Sequence, residues 1–91
     1  MTDVIDKAII ILAADDDLMD RTTRAWSAVA QKIEERAGKA RPAPKVYEVH
    51  HETQVARQAF LTAIVSGQTV EEATTAALDR IQIVSVEVGV W

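Results

Sequence analysis

From Ile5 onward the apolar positions recur at spacings of three and four: Ile5, Ala8, Leu12, then Met19, Trp26, Val29 and Ile33. That spacing lines one face of an α-helix, with Asp15 and Thr22 occupying the steps where an apolar residue is missing. A carboxylate is out of place on an apolar stripe but favoured at a helix start, where it accepts from N–H groups that have no partner inside the helix. The stretch "ADDDLMD" leaves two readings open, an unbroken helix with Asp15 on its apolar stripe or, the one favoured here, a break or kink with Asp15, Asp16 or Asp17 capping a second helix. Gly38, just after "KIEERA", predicts where that helix stops, and "GKARPAPK" with its two prolines predicts a loop.

A second stripe, Val46, Val49, Thr53, Ala56, Phe60 and Ala63, predicts a helix over residues 46–66. Within it "AFLTAIV" is apolar all round and is expected to be the most buried part of the chain, and Gly67 ends it. Thr69 and Glu72 have the spacing of a capping box, in which each side chain accepts from the other's backbone N–H. The helix that follows presents Val70, Ala73, Ala77 and Ile81 on one face.

After Arg80 the period changes from 3.6 to 2. Val84, Val86, Val88 and Val90 fall on one face of an extended segment, and Ile83, Ser85, Glu87, Gly89 and Trp91 on the other. The expected fold is mostly α: one small domain of three to four helices over residues 1–91, a helical hairpin plus a capped C-terminal helix, ending in a single β-strand at 82–91. A lone strand leaves a row of N–H and C=O groups unpaired, so it needs a partner edge. Within the chain "KVYEVHH" at 45–51 could supply that edge. Alternatively another copy or another protein supplies it, or the valines pack as an extended tail.

Composition sharpens this picture. Ninety-one residues bury only about 60–65% of the surface the unfolded chain exposes, so the core is small. There is no cysteine, hence no disulfide framework and no thiolate metal site, which fits a reducing interior. The opening "MTDVIDK" is acidic where a signal peptide is basic, and the apolar run Ala8–Ala14 is far shorter than the roughly 20 residues that span a bilayer. The expectation is a soluble protein of the cytoplasm or of an intracellular assembly, neither secreted nor transmembrane. Fifteen alanines against four aromatics favour closely approaching helices. Charge is laid out in blocks: residues 1–20 carry six Asp and one Lys, residues 21–45 seven basic side chains and two Glu, and residues 46–91 six acidic and two basic. A basic middle between two acidic ends can pair head to tail as well as fold back on itself.

Candidate chemistry is sparse. Glu48 and His51 form a Glu-x-x-His pair, half of the ligand set of carboxylate-bridged di-iron bundles, and a hairpin would bring Glu34 and Glu35 beside Glu48. At 100° per residue, however, Glu48 and His51 point away from the apolar stripe and are expected in solvent. His50 borders that stripe and reads as a packed or pH-sensitive boundary residue rather than a ligand. Asp15–Asp17 lack the ligand spacing and glycine turn of a calcium loop. No serine sits in a glycine-flanked elbow: Ser27, Ser66 and Ser85 read as ordinary polar positions. Gly38, Gly67 and Gly89 make no phosphate loop. Arg36, Lys39, Arg41 and Lys45 crowd one loop, but without interleaved aromatics they read as favourable charges at a helix C-terminus rather than a nucleic-acid patch. Neither a catalytic residue, a resident metal nor a cofactor is expected.

The opening "AIIILAADDDL", about a dozen residues, resembles the first helix of the small tail-completion and head-tail joining proteins of bacteriophages. That resemblance implies a ring-assembled virion component; the strand-rich body common in those proteins is not evident here. The expected function is thus a non-enzymatic, acidic helical subunit or adaptor of a larger symmetric assembly, a homo-oligomer joined through Val84, Val86, Val88, Val90 and Trp91, with Trp26 a further contact. A terminal tryptophan suits an interface anchor. Two alternatives remain open: an acidic inhibitor or antitoxin-like protein that occupies a basic partner, and a dimeric hairpin that binds metal in the di-iron manner.

Overall fold

A computed structural model describes residues 4–81 of the chain. They form four helices: α1 Val4–Ala13, α2 Asp16–Lys39, α3 Val46–Val65 and α4 Val70–Asp79. The mostly helical fold is as the periodicity predicts. No strand occurs among the described residues, and the predicted strand at 82–91 lies outside them. One expectation about that strand is overturned. "KVYEVHH" is not an edge for it to pair with, because Lys45 is the N-cap of α3 and Val46–His51 are helical.

The break at Asp15 follows from capping. Asp15 adopts an extended backbone (φ −144°, ψ 100°), and its carboxylate accepts from Leu18 N–H at 3.1 Å. Asp16 and Asp17 then lie in the first turn of α2, where negative charge meets the positive end of the helix dipole. The α4 capping box forms as its spacing predicts: Thr69 Oγ1 accepts from Glu72 N–H at 3.1 Å, and Glu72 Oε1 accepts from Thr69 N–H at 2.9 Å. At the start of α3 only half a box exists. Glu48 Oε1 accepts from Lys45 N–H at 3.4 Å, while the lysine ammonium has no acceptor to return.

The two glycines near helix ends behave differently. Gly67, at φ +86°, closes α3 in a Schellman turn: Gln68 N–H donates to Ala63 C=O at 3.0 Å and Gly67 N–H to Ile64 C=O at 3.1 Å. Gly38 does not end α2, contrary to expectation. The helix runs through it to Lys39, and Ala40 turns extended as the chain approaches Pro42. Arg41 supplies the termination instead, its Nη1 donating to Gly38 C=O at 3.1 Å and Ala40 C=O at 2.7 Å. The Arg41–Pro42 peptide bond is cis.

Helices α2 and α3 form an antiparallel hairpin in which Trp26 meets Phe60 edge to face, ring centroids 5.8 Å apart. Val29 and Ile33 of α2 are buried with Ala56, Phe60, Leu61, Ala63 and Ile64 of α3. Helix α4 adds Val70, Ala73 and Ala77, and Ile81, just past its end, is buried with them, so all four predicted positions are covered. Helix α1 packs mainly on α3 through Ala8 and Leu12, with Val4 and Ile11 partly covered. The "AFLTAIV" stretch is, as expected, dense in buried residues, though Thr62 faces out. Three stripe positions differ from expectation. Ile5 and Met19 are exposed, and Val46 is 87% exposed because α3 outruns its neighbours at the turn. Thr22 is buried, and its hydroxyl has no hydrogen-bond partner among the described residues.

Gly38→Ala and Gly67→Ala separate backbone effects from packing, since an added Cβ meets nothing within 4 Å at either site. The first should stabilise the chain by about 0.5–1 kcal/mol, because alanine restricts the unfolded chain and suits a helix. The second should cost about 1–2 kcal/mol, because an L side chain resists the left-handed region. Urea midpoints of the two variants against wild type check the opposite signs. Thr22→Val, nearly isosteric, removes a buried hydroxyl without a partner and should raise stability by about 1 kcal/mol in the same assay; a loss of stability there would mean that the hydroxyl is hydrogen-bonded in the folded chain.

Candidate interaction site

Two open grooves flank α3 and meet at His51. The first lies between α3 and α4 and measures about 570 Å³. Its floor is small and apolar, made by Val55, Ala59, Ala63 and Ala76, because alanine methyl groups leave a trough where larger side chains would fill it. Gln54, Gln58, Gln68 and Arg80 form a rim of hydrogen-bonding groups. Such a trough can accept an extended segment or another helix: the floor excludes water and the rim amides supply donors and acceptors. Nothing in it is arranged as nucleophile and base. Ser66, at its end, donates its hydroxyl to Thr62 C=O at 2.8 Å as part of the α3 C-terminus.

The second groove, about 640 Å³, sits where α2 turns into α3. Pro42, Ala43, Pro44 and Tyr47 provide apolar surface, and Arg41 and Lys45 provide positive charge. Arg41 is pinned by the two carbonyls at the α2 C-terminus, so its cation is held in place. Glu48, also in this groove, is turned back on the Lys45 N–H, and Glu52 is buried. Arg36 and Lys39 add to the basic character of this end, Lys39 pairing with Glu35 across one helical turn at 3.7 Å.

The residues of the di-iron alternative are placed apart from any core. Glu34, Glu35, Glu48 and His51 are all exposed, as the helical geometry predicts for Glu48 and His51. Among the described residues there is no group of three or more His, Asp or Glu side chains placed to hold a metal ion. His50 is exposed rather than packed, with its Nε2 3.3 Å from Gln54 Nε2, because it lies on the outward side of α3 while Val49 and Glu52 take the covered side. Trp26 is half-buried in the α2–α3 contact. Val84, Val86, Val88, Val90 and Trp91 lie outside the described residues.

Sequence reasoning missed the exposed side of α1. Ile9 is 57% and Ile10 68% exposed, beside Ile5, so this short helix offers apolar surface both to the core and to solvent. The signal was present in "AIIILAA", since consecutive isoleucines cannot all face one way on a helix. Among the described residues no helix is long and apolar enough to cross a membrane. No protein-family model matches the chain, and no curated protein or solved structure is detectably similar to it.

Proposed function

We propose that this chain is a non-enzymatic interaction protein, a subunit or adaptor that becomes complete in a larger assembly. The observation that carries this reading is the amount of large apolar surface its own fold leaves uncovered: Ile9, Ile10, Val46 and Tyr47 are each more than half exposed on a chain of 91 residues. Two open troughs beside α3 add concave, partly apolar surface without catalytic groups convergent on either. Residues 82–91, with Val84, Val86, Val88, Val90 and Trp91, are the joining segment in this reading. They alternate as a strand that pairs with an edge on a partner, and Trp91 is the anchor. A phage head-tail component, the class that Ala8–Leu18 resemble, would be one instance of such a subunit.

Deleting residues 82–91 should abolish the assembly while leaving the helical circular dichroism of the remaining chain largely intact. Light scattering behind size exclusion reads the change as a fall to the mass of a single truncated chain. An oligomer of unchanged stoichiometry after the deletion would remove these residues from the interface and sink the proposed joining role.

A further inference from the structure

Helix α4 covers only part of α3. It has 10 residues against 20, about 15 Å against about 30 Å, and after the reversal at Gly67 it runs back along α3 from the C-terminal end of that helix. Its last turn therefore stands near the middle of α3, where Arg80 shares the first trough with Gln54 and Val55. Ahead of it the same lane continues. Glu48, Glu52, Ala59 and Ala63 follow one another at spacings of four, seven and four, which is one face of a helix; the last two floor the trough beside α4, and the first two wall the groove at the α2–α3 turn. The second groove is thus the path of α4 prolonged past its end, and Ile81, buried just after α4, is where the described chain enters that path.

Two features of this groove suit an extended segment, and charge is not one of them, since Arg41 and Lys45 are matched there by Glu48 and Glu52. One is apolar surface: Tyr47 is 67% exposed beside Pro42 and Pro44. The other is a row of acceptors. The carbonyls of Pro42, Ala43 and Pro44 receive no hydrogen bond among the described residues, and the two prolines have no N–H to give. Such a wall is completed by a chain that brings apolar side chains and backbone N–H groups together, and residues 82–86, "QIVSV", bring both. The length fits as well. The part of α3 that α4 leaves uncovered is about 15 Å long, and about five extended residues at roughly 3.3 Å each span it.

We propose that in the free chain residues 82–86 lie extended in this groove, along the N-terminal half of α3, as a strap over Tyr47 and the proline loop. Drawing the segment out makes it and the apolar surface beneath it available to a partner together. The fold thus holds its joining segment at home until a partner edge competes for it, and the share of time the segment is seated weakens its hold on a partner in proportion. Ile9 and Ile10, on a helix that does not touch α4, stay uncovered throughout. The strap goes beyond the assembly reading and does not depend on it, because a chain that never associates can still carry it.

The chain has no cysteine, so an engineered pair reports one contact without competition. Glu48→Cys places a thiol in the groove. Neighbouring residues of an extended segment point to opposite sides, so it is combined in turn with Val84→Cys and with Ser85→Cys, all in the full chain. In dilute solution under mild oxidation one of these two pairs should close a disulfide within a single chain, in roughly tenfold excess over Thr62→Cys combined with the same substitution, because a seated segment holds its thiol at high effective concentration. Thr62 lies in the trough beside α4, where the segment would go if it folded back instead. Mass spectrometry of the denatured chains distinguishes a bond within one chain from a bond between two, and circular dichroism before oxidation verifies that each variant is helical.

A bond within one chain at Glu48→Cys, in that excess, supports the strap. A preference for Thr62→Cys, a bond between two chains, or equal yields at the two positions overturns it. Failure of the strap and failure of the assembly reading are told apart: light scattering of the wild type and of the chain lacking 82–91 decides the latter, whereas the disulfide is read on denatured chains and forms even in a chain that never associates. Deleting 82–91 removes strap and joining segment alike, so the fall to single-chain mass expected of that deletion is unchanged.

Discussion

Everything in this small fold depends on how closely α3 lets its neighbours approach. The surfaces at its centre are methyl groups: Ala56 and Ala63 on α3 and Ala73 and Ala77 on α4 are buried, three of them to the last per cent. Helices faced with alanine can pack at the short end of the 8–10 Å range of interaxial distance, and the contact is gained with almost no side-chain entropy lost. Close approach also has a consequence for the outside. A core closed by methyl groups has little volume, and among the described residues Phe60, Ile33 and Val29 are the largest side chains that are fully enclosed. The larger aliphatic side chains of α1 then outnumber the places available for them. Ala8 and Leu12 take the inner face, and Ile9 and Ile10 are left outside.

The same geometry explains which parts of the fold are legible in the sequence. The stripe Val70, Ala73, Ala77 and Ile81 is buried throughout, because α4 is short, capped at Thr69 and packed on α2 and α3, and Ile81 follows directly after it. The break near Asp15 is legible in part: a carboxylate on an apolar stripe is favoured at an N-cap, but the pattern leaves open which of Asp15, Asp16 and Asp17 caps, and the structure selects Asp15. Burial at Val46 and Met19 is not legible, because periodicity tells which way a residue faces but not whether another helix reaches that far. Nor is the end of α2. Gly38 permits termination without requiring it, and what ends the helix is the proline beyond it together with a guanidinium that happens to reach two carbonyls. Thr22 shows the limit of the polar signal. A hydroxyl on an apolar stripe reads as a flaw in the pattern, yet the stripe carries it into the core.

The candidate site was harder to read than the fold. A groove is a property of what is missing between two helices, and no residue announces it. The trough beside α4 exists because Ala59, Ala63 and Ala76 are small, and the one at the turn is lined by Pro42 and Pro44 of the loop with Tyr47 and Glu48 of α3. Charge blocks, in contrast, are plain in the sequence, but their separation in space is not. It comes from α2, whose uninterrupted run from Asp16 to Lys39 converts a distance along the chain into a comparable distance through space.

Segregated charge alone would have a sufficient explanation inside one chain. Acids at the N-terminus of α2 and bases at its C-terminus both oppose the helix dipole favourably, each contributing about 0.3–1 kcal/mol at an exposed site. A designer stabilising a lone helix would place them in the same order. The dipole, however, makes no demand for isoleucine beside the acids or for proline and tyrosine beside the bases. Exposed apolar side chains add nothing to a solvated helix terminus, and they raise the hazard of unspecific association. Helix capping therefore does not account for the exposed Ile9, Ile10, Val46 and Tyr47, and it is on this uncovered apolar surface that the assembly reading rests.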